Sequence, residues 1–332
     1  MIKVPAKLIL SGEHSVVYGA PALALPIKRF MQIEIENHTA NKFFFDFVDF
    51  NCTTEFDFTY LTKIQWDIQK RYQDFLNHKC TITNVITTPQ QLALYAVGFF
   101  IKELDICLNN KGLRIIIRSD IPVGRGLGSS AALITGLLNA LLSFFSLSIS
   151  DTKRFLLLKQ VEDIQHGNSS GLDLHVVSSD KMLLFTQDKI VTRSLPNITF
   201  SLVDTGMPAS TTGECVAAAK RYFKNTKLME WGLLAEFSAV TLELDNALQQ
   251  NDLKNAQYCI RENHKLLRTI GVVPEKAASF ISELEKLGLA AKICGAGAIS
   301  GDNAGVVLIL GNVNINDIIE KYKYTPISSF LL

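Results

Sequence analysis

An α+β chain of two domains is predicted by three features of the sequence. Short alternating apolar stretches lie near the N-terminus, a charge-free helix follows directly on a Gly-rich turn, and a long helical run gives way to a pair of strands near the C-terminus. Taken in order, 31–37 (MQIEIEN) and 43–50 (FFFDFVDF) show the period of two that gives a strand one wet and one dry face. Pro89 sits where a first helical turn tolerates it, opening a helix over 89–108, and 113–119 (LRIIIRS) reads as the next strand. That strand runs into the turn 120–130 (DIPVGRGLGSS) and then the uncharged helix 131–149. Ser150 caps the next helix, which reaches His166 and Gly167. Two strands, 181–186 and 198–204, precede consecutive helices from Glu214 to Leu287. The chain then reads as strand, glycine-containing loop and strand over 290–311, with a closing helix at 316–324. The change of character places a domain boundary near residue 190, giving domains 1–190 and 191–332.

Composition narrows the function. The chain has 332 residues, with 33 Lys and Arg against 32 Asp and Glu, so no basic excess exists to release counterions from nucleic acid. A small-molecule partner is expected instead. The stretch 131–149 is long enough to span a bilayer, but Thr135, Gly136, Asn139, Ser143, Ser146 and Ser148 interrupt it, so it reads as a helix buried in a large core and no membrane partner is expected. Six cysteines occur without a C-x-x-C pair or zinc spacing, which reads as reduced thiols in a cytoplasmic protein, and the first residues lack a cleavable leader pattern.

Three stretches carry candidate chemistry. In 122–132 (PVGRGLGSSAA), glycines at alternate positions let backbone N–H groups converge on an anion beside the positive end of a helix. Either a polyphosphate site or a tight turn that binds nothing satisfies that spacing. It is not a Walker A loop, since no Lys follows the last Gly, and its glycine spacing misses the dinucleotide fingerprint. In 162–173 (EDIQHGNSSGLD), Glu162 and Asp173 flank a Gly/Ser loop; two such acids can divide metal binding from proton handling, or simply end a solvated helix. Gly167 to Gly171 also matches G-x-S-x-G, but a nucleophile elbow at Ser169 requires a preceding strand and this one follows a helix. Lys7, between Ala6 and Leu8 in the opening strand, is followed by Glu13 and His14; such a lysine commonly reaches out to water, and the histidine can be structural.

Taken together and in order, 5–19 (PAKLILSGEHSVVYG), 122–132, 166–173 (HGNSSGLD) and 292–297 (KICGAG) resemble the motifs of the GHMP small-molecule kinases, the superfamily of galactokinase, homoserine kinase, mevalonate kinase and phosphomevalonate kinase. Within it, 11–19 and 204–211 (DTGMPAST) are most similar to the mevalonate kinases. The resemblance implies an N-terminal domain like the second domain of ribosomal protein S5, a ferredoxin-like C-terminal domain and an active site between them. It implies transfer of the ATP γ-phosphoryl group to the primary hydroxyl of mevalonate, with Mg²⁺, and homodimers are common among similar enzymes. Residue by residue, it makes Asp173 the catalytic acid/base and Lys7 its charged partner, with Glu162 and Ser130 on Mg²⁺. Gly124, Arg125, Gly126, Leu127, Gly128, Ser129 and Ser130 would wrap the phosphates together with Gly295 and Gly297, while Glu13, His14, Ser210 and Thr211 would lie near the acceptor. Two positions depart from the pattern. Ala298, Ile299 and Ser300 stand where the family's glycines continue, and Arg125 replaces a small residue, either to touch phosphate or to point to solvent. No cation for the mevalonate carboxylate is evident in 208–211. Phosphomevalonate kinase or another alcohol kinase of the superfamily is the rival reading, ahead of diphosphomevalonate decarboxylase and of an inactive metabolite-binding relative.

Overall fold

The computed structural model describes residues 1–38, 42–109, 111–186, 189–224 and 227–327. They form two compact units that are not consecutive in sequence: Met1–Ala6, Arg29–Ile121 and Gly128–Ser178 make the first, and Lys7–Lys28, Pro122–Leu127 and Ser179–Leu332 the second. Two long strands, β1 (Ile2–Ser11) and β2 (Ala22–His38), run through both.

In the first unit, β3 (Lys42–Phe47) pairs antiparallel with β4 (Cys52–Asp57) and parallel with β5 (Gly112–Ser119). The second part of β2 lies antiparallel to β5, Met31 opposite Ser119 and His38 opposite Gly112. The period-two pattern decides which face is dry: Phe43, Phe45 and Phe47 are buried while Phe44 and Asp46 are half-exposed. Five helices accompany these strands: α1 (Phe58–Leu76), α2 (Pro89–Glu103), α3 (Ser129–Phe144), α4 (Asp151–His166) and α5 (Leu172–Val177). Asp57, Thr88 and Ser150 cap α1, α2 and α4 by accepting from Tyr60, Gln91 and Lys153 N–H, which satisfies donors that a helix start leaves open. α3 packs on α2, α4 and α5, and its residues 131–138 are buried all round. Among the described residues no helix is long and apolar enough to cross a membrane.

In the second unit, β6 (Met182–Phe185) joins Ala22–Ala24 of β2 to β7 (Ile190–Arg193). A four-stranded antiparallel sheet runs in the order β11 (Thr325–Ile327), β8 (Phe200–Asp204), β10 (Val306–Leu310), β9 (Ala290–Ile293). The helices are α6 (Thr212–Lys224), α7 (Lys227–Gln249), α8 (Leu253–Thr269), α9 (Glu275–Lys286) and α10 (Asn316–Tyr322). α8 and α9 lie against β9, and Phe223, Phe237, Leu267, Phe280, Leu284, Ile293 and Val307 fill the core.

The α+β expectation holds, with local differences. The strand expected over 43–50 stops at Phe47, where Val48–Phe50 form a 3₁₀ turn closed by Asn51 at φ 45°. The helix expected to 108 ends at Glu103 because Asp105 takes φ 50°, and the uncharged helix ends at Phe144, with Ser146 at φ 54°. α1, α5, β7 and β11 have no counterpart in the sequence reading: α1 buries only Leu61 and Ile68, too sparse an apolar face for a clear period, and the other three have six residues or fewer.

Phe280 is fully buried and meets Tyr322 and Tyr324 edge-on, at ring-centroid distances of 5.3 and 5.0 Å. Phe280→Ala is expected to cost about 3–5 kcal/mol, seen as a lower urea midpoint with an unchanged far-ultraviolet spectrum. An unchanged midpoint would remove this core from the determinants of the second unit's stability.

Candidate active site

The Gly-rich turn owes its shape to three glycines. Gly124, Gly126 and Gly128 take φ of 71°, 82° and 74°, a region that side chains disfavour. At Gly126 space forbids a side chain too: a Cβ would stand 2.7 Å from Cys294 O and 3.0 Å from Gly295 Cα. The turn is therefore laid backbone to backbone on the loop after β9. Val306 N–H donates to Arg125 O at 3.3 Å, and Lys7 N–H donates to Leu127 O at 3.0 Å, tying the turn to β10 and β1. The Arg125 side chain neither points to solvent nor stands free, since its Nε meets both carboxylate oxygens of Asp204, at 2.8 and 3.0 Å. Gly128 precedes α3 with no side-chain cap, so the helix start, with Ser129 and Ser130, offers its amides and the positive end of its dipole to an anion. Ser130 Oγ lies 3.4 Å from His166 Nε2.

The two acids belong to the first unit, on helices that pack on α3. Glu162 lies on α4 and is 2% exposed; Ser169 Oγ donates to its Oε2 at 2.7 Å. Burial, and then the charge of Asp173, push the Glu162 carboxyl up to about 8. Asp173 is half-buried in the first turn of α5, behind Gly171 at φ 77°. A buried acid whose ionisation is opposed in this way is relieved by a cation. Among the described residues no group of three or more His, Cys, Asp or Glu gathers to hold a metal. This donor set fits Mg²⁺, which keeps several waters and takes phosphate oxygens beside one or two carboxylates. The same hydrogen bond commits Ser169 Oγ to Glu162, and the residue follows α4 rather than a strand.

At the end of β1, Lys7, Glu13 and His14 are all buried, at 3, 3 and 7% exposure. Glu13 forms an ion pair with Lys292 of β9. His14 Nε2 lies 2.9 Å from Ala296 O, and burial pushes its imidazole down to about 4. Gly295 and Gly297 follow at φ 82° and 67°; a Cβ on Gly297 would come within 2.1 Å of Val272 O. Ser210 Oγ accepts from Ile299 N–H and lies 3.1 Å from Ser300 Oγ, so Ile299 is fixed with its side chain 41% exposed. Thr211 is occupied locally, exchanging hydrogen bonds with Glu214 in a capping box at the start of α6.

The model of the GHMP kinases N terminal domain matches residues 91–179, a stretch that holds the Gly-rich turn, Glu162 and Asp173. Over that stretch the chain is similar to the GHMP kinases. Relatives that match along most of the chain are named mevalonate kinases. A mevalonate kinase of Archaeoglobus fulgidus is 27% identical over 293 residues, covering 88% of this chain and 87% of that one. The Methanococcus jannaschii mevalonate kinase structure has the same fold, with TM-score 0.79 and 23% identity, covering 100% of this chain and 98% of the other. The structure of L. major mevalonate kinase in complex with R-mevalonate matches with TM-score 0.70 and 21% identity, covering 96% and 90%.

Other residues of the chain gained a place only in three dimensions. Lys292 is fully buried, and Ser11 joins Thr241 and Asn263, with Oγ–Oγ1 at 2.7 Å and Asn263 Nδ2 donating at 2.9 Å. Lys292 and Ser11 fall within the motifs 292–297 and 5–19 without an assigned role, and a lysine between Ala291 and Ile293 in an apolar strand was the local signal.

Two buried histidines set an acid limit. His14 and His264 are both held near 4, chiefly by burial, so the unfolded chain takes up protons below about 6.5 that the folded chain refuses. Stability therefore falls as pH drops from 6.5 towards 4. The melting temperature is expected to decline through that window, and less steeply for His264→Gln; equal slopes would show that His264 does not contribute.

Proposed function

We propose that the chain is a GHMP kinase that transfers the γ-phosphoryl group of ATP to the primary hydroxyl of mevalonate, giving 5-phosphomevalonate at an early step of isoprenoid synthesis. The observation that carries the reading is the grouping, within the matched stretch, of the uncapped start of α3, the buried Glu162 and Asp173 one short loop later. Mevalonate as acceptor is supported by relatives named mevalonate kinase along most of the chain.

In this reading the chain mainly positions its substrates. Gly124 to Ser130, with Gly295 and Gly297, surround the phosphates with main-chain amides. Glu162 and Ser130 would hold Mg²⁺, which would supply positive charge against the phosphates. The acceptor oxygen bonds to the γ-phosphorus as the bond to ADP breaks, and its proton passes to Asp173. An ordinary Asp, with a pKa of ~3.9, cannot ionise an alcohol in advance, but a loose transition state makes that oxygen acidic as transfer proceeds. Lys7 stabilises the negative charge on the same oxygen. Glu13, His14, Ser210 and Thr211 are assigned to the acceptor side, Thr211 through the turn it caps. Domain 1–190 supplies most of the phosphate machinery and 191–332 the remainder. Cytoplasmic location and a homodimer complete the proposal.

A panel of mevalonate, phosphomevalonate, homoserine and galactose with Mg²⁺ and ATP should release ADP with mevalonate alone; turnover of another acceptor would reassign the substrate. Asp173→Asn should lower kcat by roughly 10²–10⁴-fold with little change in ATP affinity. Full turnover in that variant would remove Asp173 from the chemistry. Glu162→Gln should raise the Mg²⁺ concentration needed for half-maximal rate, whereas an unchanged titration would move the metal elsewhere.

A further inference from the structure

Lys292 has no place in the machinery above, yet it is one of the costliest residues in the fold. An ammonium fully out of water must be paired, and this one pairs with Glu13 while also lying 3.4 Å from Ile9 O. The residue after Glu13 is in a conformation that needs holding. His14 has φ 63° and ψ −41°, and Ser15 N–H returns to Glu13 O at 2.7 Å, which makes a γ-turn with positive φ at its centre. Such turns are rare and strained for any residue but glycine, and they persist only where the surroundings over-determine them. Here the surroundings are specific. Glu13 is fixed by Lys292, Val16 N–H donates to Gly12 O at 3.1 Å, and Gly12 packs so tightly that a Cβ would come within 2.5 Å of Ala22 Cα.

The strain has a chemical product. A carbonyl oxygen only accepts, so the 2.9 Å contact with Ala296 O assigns the proton of the His14 imidazole to Nε2. Burial keeps the ring neutral, the charge of Lys292 working in the same direction. Nδ1 then presents a lone pair. It is buried and has no hydrogen-bond partner among the described residues, and an acceptor left so is costly unless a ligand supplies the donor.

We infer that Lys292 is a positioning residue: its ion pair with Glu13 holds His14 in the γ-turn, so that Nδ1 accepts a hydrogen bond from a hydroxyl of the acceptor substrate. The inference rests on the alcohol-kinase reading and sharpens it, because a neutral Nδ1 lone pair selects a donor and gives nothing to a carboxylate. His14 is thus the hydroxyl's partner, and the carboxylate is bound elsewhere.

The test removes both charges at once, because Lys292→Met alone strands Glu13. In Lys292→Met/Glu13→Gln, the KM for mevalonate should rise about 10-fold, the scale of one hydrogen bond, while the KM for ATP stays within about twofold. Nitrogen-15 spectra should show His14 as the single Nε2–H tautomer in the wild type and as a tautomer mixture in the double variant. A wild-type mevalonate KM in the folded double variant would overturn the inference, as would a parallel loss of kcat and melting temperature with both KM values unchanged, the mark of a merely structural pair. A wild type that phosphorylates none of the four acceptors refutes the kinase reading instead. In that case the tautomer spectra still decide the positioning, an unchanged Nε2–H tautomer in the double variant counting against it.

Discussion

Two glycines that touch through their backbones govern the turn proposed to hold phosphate. Gly126 and Gly295 stand so close that a methyl group on either would run into the other's main chain. Side chains are thereby kept out of the cradle, and what remains is a surface of peptide groups, the material from which a polyanion site is built when no Walker lysine is present. Arg125 illustrates the same constraint. It stands within the turn, yet its guanidinium is drawn away to Asp204, so its contribution is to pin the turn while its carbonyl accepts from Val306.

The other groups assigned to the proposed site are costly ones that the fold buries and leaves incompletely satisfied. Glu162 is lifted to about 8 by burial and by Asp173, which stores a preference for a cation. His14 is held neutral near 4, with one ring nitrogen engaged and the other unpaired. Lys292 and Glu13 sit together out of water. None of these arrangements is what stability alone would select, since well-packed apolar groups would serve as well or better. Each is intelligible once a charged or hydroxyl-bearing ligand completes it.

How much of this was legible beforehand depends on the range of the interaction. Strong local signals read well: the alternating phenylalanines of β3, the helix start at Pro89, the cap Ser150, and the consecutive helices between Glu214 and Leu287. The turn's glycines could be read because their positive φ is a local demand, and the resemblance of four separated motifs pointed to the same kinases whose N-terminal domain model matches 91–179. What escaped depends on partners far along the chain. Lys292 meets a residue 279 positions away, and Arg125 finds Asp204 at 79, separations at which sequence spacing carries no information. Thr211 was expected beside a substrate, and only its neighbour three residues on explains that it also starts a helix. α1 was unread because its buried face amounts to Leu61 and Ile68.

The most direct measurement is isothermal titration of Mg·ADP into the wild type and into Gly126→Ala and Gly295→Ala, each checked for folding by circular dichroism. If peptide groups held at close approach make the phosphate site, both variants should lose at least about 10-fold in affinity, because the added carbon meets backbone that cannot move aside. Folded variants that bind Mg·ADP as tightly as the wild type would contradict the account and place the nucleotide away from this turn.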